Sequence, residues 1–120
     1  DSESRGLGDV YKRQIDNNNK QIDGDLRDVL DLGNIESKFQ SFGWFTINLD
    51  DGNNLDEVRK AIQTAKENCF NGKPVVIIMK TIMGNGVNYM MGTHKWHGVA
   101  PNDEELEIAL NQNPETLNDY

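Results

Sequence analysis

Lys73-Pro74-Val75-Val76-Ile77-Ile78-Met79-Lys80-Thr81 is the stretch from which the architecture follows. From Val75 to Met79 the side chains are apolar without a break, whereas a strand with one wet face would alternate. The run enters through Pro74 and leaves through Lys80, so it predicts a strand buried on both faces, at the centre of a parallel sheet. A parallel neighbour requires a crossover, and one stands just upstream. Asn54 with Glu57 forms a capping-box-like helix start, Leu55, Val58, Ile62, Ala65 and Cys69 fall on one face, and Gly72 marks the end. Before that helix, Trp44, Thr46 and Asn48 alternate with Phe45, Ile47 and Leu49, which predicts a strand closed by the turn Asp50-Asp51-Gly52-Asn53. Strand, helix and buried strand make a βαβ unit.

On either side the signals are shorter. Asn34 is placed to cap a helix through Phe42, with Ile35, Phe39 and Phe42 at helical spacing and Gly43 as its stop. Further back, Ile15-Asp16 reads as the tail of a strand, and Asn17-Asn18-Asn19-Lys20 as a polar turn, since Asn tolerates left-handed geometry. Beyond the buried strand, Gly84, Gly86, Gly92 and Gly98 punctuate a segment from Thr81 to Pro101 that is too long for a plain connection. Asn102 with Glu105 caps a last helix carrying Leu106, Ala109 and Leu110. The expected class is α/β, with a fold over residues 15–111 and a frayed polar tail over 112–120.

Residues 1–14 read as foreign to that fold. Asp9-Val10-Tyr11-Lys12-Arg13-Gln14 back-translates as GAT GTG TAT AAG AGA CAG, which resembles the mosaic end of a transposase-based sequencing adapter, and Ser4-Arg5-Gly6-Leu7-Gly8 fits the remainder of the same adapter in frame. Gly6-Leu7-Gly8 is then no phosphate loop, since no strand precedes it. The authentic protein is expected to start, interrupted, near Ile15, and Ser4 to Gln14 to pack against nothing specific.

Composition narrows the function classes. The chain has 120 residues, 36% hydrophobic and 27% charged, enough for one modest core. A formal net charge of −8 disfavours nucleic acid and anionic lipid as partners. No apolar run approaches the roughly 18 residues of a membrane helix. The single Cys69 suits a reducing compartment such as the cytoplasm and, lying on an apolar helix face, reads as core.

In open parallel sheets, ligands sit beyond the carboxyl ends of the strands. Two segments fall there. Asp16 to Gly24 gathers side-chain and backbone oxygens suited to a hard cation, although a plain polar turn is the simpler reading of that stretch taken alone. Gly92-Thr93-His94-Lys95-Trp96-His97-Gly98 sets two imidazoles three residues apart. Zinc would need further Cys or His ligands that the sequence lacks; a histidine meeting a phosphate or moving a proton is more economical, with surface histidines beside a half-buried Trp96 as the bland alternative.

These residues carry a family resemblance. Asp16 to Gly24 resembles the second half of the thiamine-diphosphate motif of transketolases, a D-x-N turn followed by Ile22-Asp23-Gly24. Lys80-Thr81-Ile82-Met83-Gly84-Asn85-Gly86 resembles the family's K-T-x-x-G-x-G segment, and His97-Gly98-Val99-Ala100-Pro101 its H-G-x-x-P segment. Lys38 to Trp44 and Lys73-Pro74 agree in order and spacing, so the resemblance spans Ile15 to Leu110. The Trp96-His97-Gly98 form with the acidic helix after Pro101 is most similar to transketolases split into N- and C-terminal subunits.

The resemblance implies the C-terminal part of a three-layer, parallel-sheet thiamine-diphosphate-binding domain. It implies a soluble, cytoplasmic enzyme of the pentose phosphate pathway that moves a two-carbon ketol unit between sugar-phosphate substrates. It assigns the Asn18 side chain and the Lys20 carbonyl to Mg²⁺ (or Ca²⁺), Ile22 and Met83 to the walls around the thiamine rings, Gly84 to the cofactor loop, and His97 to the diphosphate and proton transfer. The family usually has Ile where Met83 stands. The role of His94 stays open. Two family elements are missing: an aspartate of a G-D-G motif upstream of Ile15, and the glutamate of a pyrimidine-binding domain or C-terminal transketolase subunit. The complete protein would therefore be a homo- or hetero-oligomer, and these 120 residues a fragment without activity of its own. The alternatives are another thiamine-diphosphate enzyme, a dihydroxyacetone or deoxyxylulose phosphate synthase, or a non-catalytic fragment.

Overall fold

The computed structural model describes residues 12–21, 23–69 and 71–114. In chain order the elements are β1 (Lys12–Asn17), β2 (Lys20–Gln21), β3 (Gly24–Asp25), α1 (Leu26–Val29), α2 (Ile35–Ser41), β4 (Phe45–Leu49), α3 (Leu55–Asn68), β5 (Val75–Lys80), a 3₁₀ turn (His94–Trp96) and α4 (Asp103–Gln112). They belong to two compact units. Residues 12–18 and 32–81 form the first; residues 19–31 and 82–114 form the second.

The first unit is a parallel three-stranded sheet in the order β1-β5-β4. β5 takes both neighbours in register, with Lys12 and Phe45 both opposite Val75, and Asp16 and Leu49 both opposite Met79. Val75 and Val76 have no exposed surface, and Ile77 and Ile78 keep only 4% and 5%. Successive residues of a strand face opposite sides, so both faces of β5 are covered, as its unbroken apolar run requires. Each such side chain contributes about 1.5–3 kcal/mol by leaving water.

On one face, Val75 and Ile77 join Leu49, Ala61 and Ala65, with Ile47, Val58, Ile62 and Met79 at the margin. On the other face, the Gln40 Nε2 of α2 donates to Thr46 Oγ1 at 3.0 Å. Thr46 alternates with the inward Ile47, so α2 and α3 lie on opposite sides of the sheet: three layers.

The helix starts follow the expected capping. Asn34 accepts from Ser37 N at the head of α2. Asn54 accepts from Asp56 N and Glu57 N at the head of α3. Such a cap is worth about 1 kcal/mol. The buried stripe of α3 differs from the expected one. Leu55 is 78% exposed, whereas Ala61 and Ala65 are the buried pair. The small side chains pack into the cluster around Val75 and Ile77, while Leu55 in the first turn faces water. The helix also ends at Asn68, with Cys69 already extended, three residues before Gly72.

Residues 12–14 correct an expectation. Lys12, Arg13 and Gln14 pair with Val75, Val76 and Ile77, so they are strand rather than unattached chain. Ladder bonds belong to the backbone, and an edge strand tolerates exposed polar side chains such as Arg13 and Gln14, so the pairing is indifferent to where the segment comes from. The frayed tail expected from residue 112 is corrected at its start, since α4 runs to Gln112 and Asn113 caps it; the expectations for residues 1–11 and 115–120 fall outside the described residues.

In the second unit, β2 and β3 form a two-residue antiparallel ladder, Lys20 opposite Asp25 and Gln21 opposite Gly24. Asn19 enters it in the left-handed region, φ 59°. α4 opens with a complete capping box: Asn102 Oδ1 accepts from Glu105 N at 2.8 Å and Glu105 Oε2 from Asn102 N at 2.9 Å. Among the described residues no helix is long and apolar enough to cross a membrane.

The β1–β5 register yields a stability prediction. Shortening the chain to begin at Ile15 removes three ladder positions beside the fully buried Val75 and Val76. It should cost about 1 kcal/mol or more, the scale of an ordinary damaging substitution. Urea denaturation monitored by far-ultraviolet dichroism checks this; an unchanged midpoint would show that Lys12–Gln14 contributes nothing.

Candidate functional site

At the carboxyl end of the first unit's sheet, two of the singled-out segments leave from neighbouring strands. Asn17 lies opposite Lys80. Thr81 N donates to Asn17 O at 3.4 Å, and Thr81 Oγ1 donates to the carboxylate of Asp16. The turn after β1 and the loop after β5 are thus tied where they begin. The turn after β4 is pressed against the same strand end, with Gly52 N donating to Lys80 O at 2.6 Å. A Cβ at Gly52 would stand 2.7 Å from Thr81 Cγ2 and 2.8 Å from Met79 Cβ, so only glycine fits.

A cleft of about 300 Å³ opens here, lined by Asn17, Asn34, Glu36, Asn48, Asp50 and Lys80 among others. Asn48 and Asp50 were not singled out in the sequence. Their position at the end of a strand predicted to be parallel was the available signal. The Lys80 Nζ–Asp50 Oδ1 pair at 3.3 Å is 69% and 94% exposed and adds at most about 1 kcal/mol.

Of the sequence-derived site residues, Asn18 is half-buried and belongs to the first unit. Lys20, Met83, Gly84 and His97 belong to the second. Ile22 lies outside the described residues. The Lys20 ammonium is paired across the β2–β3 ladder with the Asp25 carboxylate. Asp25 is held below its ordinary value of 3.8, first by the hydrogen bond from Lys20, with burial opposing and the charges of Lys20, His94 and Arg27 assisting.

In the glycine-rich segment, Met83 is half-buried and its carbonyl accepts from Gly92 N at 2.8 Å, closing a loop. Gly84 has φ 72°, and a Cβ there would lie 2.5 Å from Met90 O, so its backbone alone demands glycine. Further on, Thr93 caps the 3₁₀ turn and His97 N donates to His94 O at 3.0 Å. His94 is half-buried and His97 exposed.

Tyr89 and Trp96, neither singled out for chemistry, hold this turn. Trp96 Nε1 donates to Tyr89 O at 3.1 Å, and the rings meet edge to face with centroids 5.1 Å apart. Loss of water contact, aided by the Glu105 charge, raises the Tyr89 phenol above its ordinary 10.0. Nothing in periodicity reveals such a pair; it is a tertiary contact.

Among the described residues there is no cluster of three His, Cys, Asp or Glu side chains that could hold a metal. The Asn18 amide oxygen and the Lys20 carbonyl are hard, neutral donors that fit Mg²⁺ or Ca²⁺ in kind, and other oxygens would have to complete the shell.

Residues 7–114 match the family described as transketolase, thiamine diphosphate binding domain. The chain is 34% identical to one of the subunits of the apulose-4-phosphate transketolase of Phocaeicola vulgatus, over 121 residues, 96% of this chain and 42% of that one. It is also 34% identical to the transketolase of Halalkalibacterium halodurans over 94 residues, 78% of this chain and 14% of the relative. The solved transketolase of Campylobacter jejuni superposes with a TM-score of 0.74 at 29% identity, over 85% of this chain and 15% of that one. The chain thus spans less than half the length of these relatives.

The Lys20–Asp25 pair gives a titration with a fixed sign. A depressed carboxylate stabilises the fold above its unfolded value and loses that contribution as the pH falls through the folded one. Carbon-detected NMR should place the Asp25 midpoint below 3.8. Lys20→Met should return it toward the ordinary value, and an Asp25 midpoint unmoved by that substitution would remove Lys20 as the cause.

Proposed function

Because the chain belongs to the family of transketolase thiamine-diphosphate-binding domains, we propose that it is the C-terminal part of such a domain. In this reading the parent protein transfers a two-carbon ketol unit between sugar phosphates in the cytoplasm, as part of the pentose phosphate pathway. The observation that carries the proposal is the tie between Asp16 and Thr81. It sets the start of the D-x-N turn beside the start of the K-T-x-x-G-x-G loop, at the end of the sheet where α/β proteins take their ligands.

The cofactor supplies the carbanion-stabilising chemistry, and the protein supplies binding, orientation and electrostatics. The Asn18 side chain and the Lys20 carbonyl hold Mg²⁺ or Ca²⁺, whose charge offsets that of the diphosphate. Ile22 and Met83 offer apolar surface to the thiamine rings. Gly84 lets the backbone turn where a side chain would strike Met90. His97 meets the diphosphate and takes part in proton transfer. The partner that completes the site is a pyrimidine-binding domain, carried in the same chain or, as the divided form of the Phocaeicola relative favours, on a separate C-terminal subunit.

Two neutral oxygens make an incomplete cation site, and an isolated segment offers no wall to the aminopyrimidine. The 120-residue chain should therefore bind Mg²⁺ and thiamine diphosphate weakly and transfer no ketol units. Calorimetry on this chain, and on a protein that adds the upstream G-D-G half together with the partner domain, checks both statements. Metal-dependent binding and ketol transfer should emerge only in the extended protein. Tight, Mg²⁺-dependent binding by the 120 residues alone would overturn the fragment reading, and an extended protein inert with sugar phosphates would overturn the activity.

A further inference from the structure

The glycine-rich segment of the second unit is long, yet both ends of α4 fasten it. Near the start of α4, Tyr89 OH donates to Glu105 O at 2.7 Å. Near its end, Asn113 Nδ2 donates to Gly86 O at 3.0 Å, and Gln112 Oε1 accepts from Asn88 N at 2.8 Å. Glu105 is itself held by the capping box with Asn102. Trp96 then continues the fastening to the 3₁₀ turn through the carbonyl and ring of Tyr89. The residue after Trp96 is the exposed His97, with its N–H on His94 O and Gly98 turning away at φ 85°.

We propose that Tyr89 and Trp96 are positioning residues for His97: they anchor the turn on α4 so that an exposed imidazole is presented from a fixed backbone. The assignment of a ligand to that imidazole rests on the diphosphate reading above. The physical reason is entropic. A loop residue left free to move must be ordered when a ligand arrives, so a histidine on an unfastened loop meets an anion only after that entropic cost. The latch meets the ordering cost during folding.

The test uses the 120-residue chain and inorganic pyrophosphate at millimolar concentration, observed by NMR. In the unmodified chain the His97 amide should be protected from hydrogen exchange, and pyrophosphate should shift the His97 ring resonances more than those of His94. Trp96→Ala should lower His97 protection at least about tenfold and abolish the pyrophosphate response. The amides of Val76 and Ile77, in the other unit, should stay protected as before. Trp96→Phe keeps an aromatic ring against Tyr89 but loses the indole N–H. It should lower protection about threefold to tenfold, the scale of one hydrogen bond, and retain part of the response. Tyr89→Phe, which removes only the phenol, should behave likewise. Unchanged His97 protection in Trp96→Ala and Trp96→Phe would overturn the positioning role. Protection that falls in both variants, while His97 of the unmodified chain ignores millimolar pyrophosphate, would sustain the latch and overturn its service to anion capture by these 120 residues.

Discussion

The double burial of β5 is the constraint on which the rest depends. Val75 and Val76 point to opposite faces and both are wholly out of water. Here that is achieved by a parallel neighbour on each side and a helix layer on each face. β1 and β4 run beside it in the same direction, so all three carboxyl ends fall at one edge of the sheet. The close approach of Gly52 to Met79 and Thr81, and the bond from Thr81 to Asp16, follow from that crowding.

The candidate residues follow those strand ends along the chain. Asn-rich and glycine-rich segments are suited to the task for different reasons. Asn19 accepts a left-handed backbone and so turns the chain sharply after β1. Gly84 removes a side chain from a place where backbone meets backbone. In the second unit, order comes from side chains: an ion pair across the two-residue ladder of β2 and β3, and the Tyr89–Trp96 pair on α4. A loop so fastened behaves as part of a scaffold, which is what a preformed binding surface requires.

Elements with many repeats of one pattern were readable in the sequence. The unbroken run of β5, the alternation of β4 and the Asn caps of α2, α3 and α4 each rest on chemistry local to a few residues. Ala61 was missed because an alanine signals burial weakly, although it is one of the two buried positions of α3. The β2–β3 ladder and α1 are too short for a period to show. Lys12–Gln14 misled because its side chains resemble no strand, while its backbone pairs as any backbone does. The site residues are proposed through family likeness alone, whereas the Lys20–Asp25 pair and the bond from Tyr89 to the Glu105 carbonyl are contacts that only folding creates.

The central claim is that the turn after β1 serves a metal-bound diphosphate. It is tested most directly by Asn18→Ala in a protein extended by the upstream half and partner domain, measuring thiamine diphosphate affinity as Mg²⁺ is varied. Loss of one oxygen ligand should weaken binding at least about tenfold at low Mg²⁺, with partial recovery as the metal is raised. Affinity equal to that of the unsubstituted protein at every Mg²⁺ concentration would contradict the account.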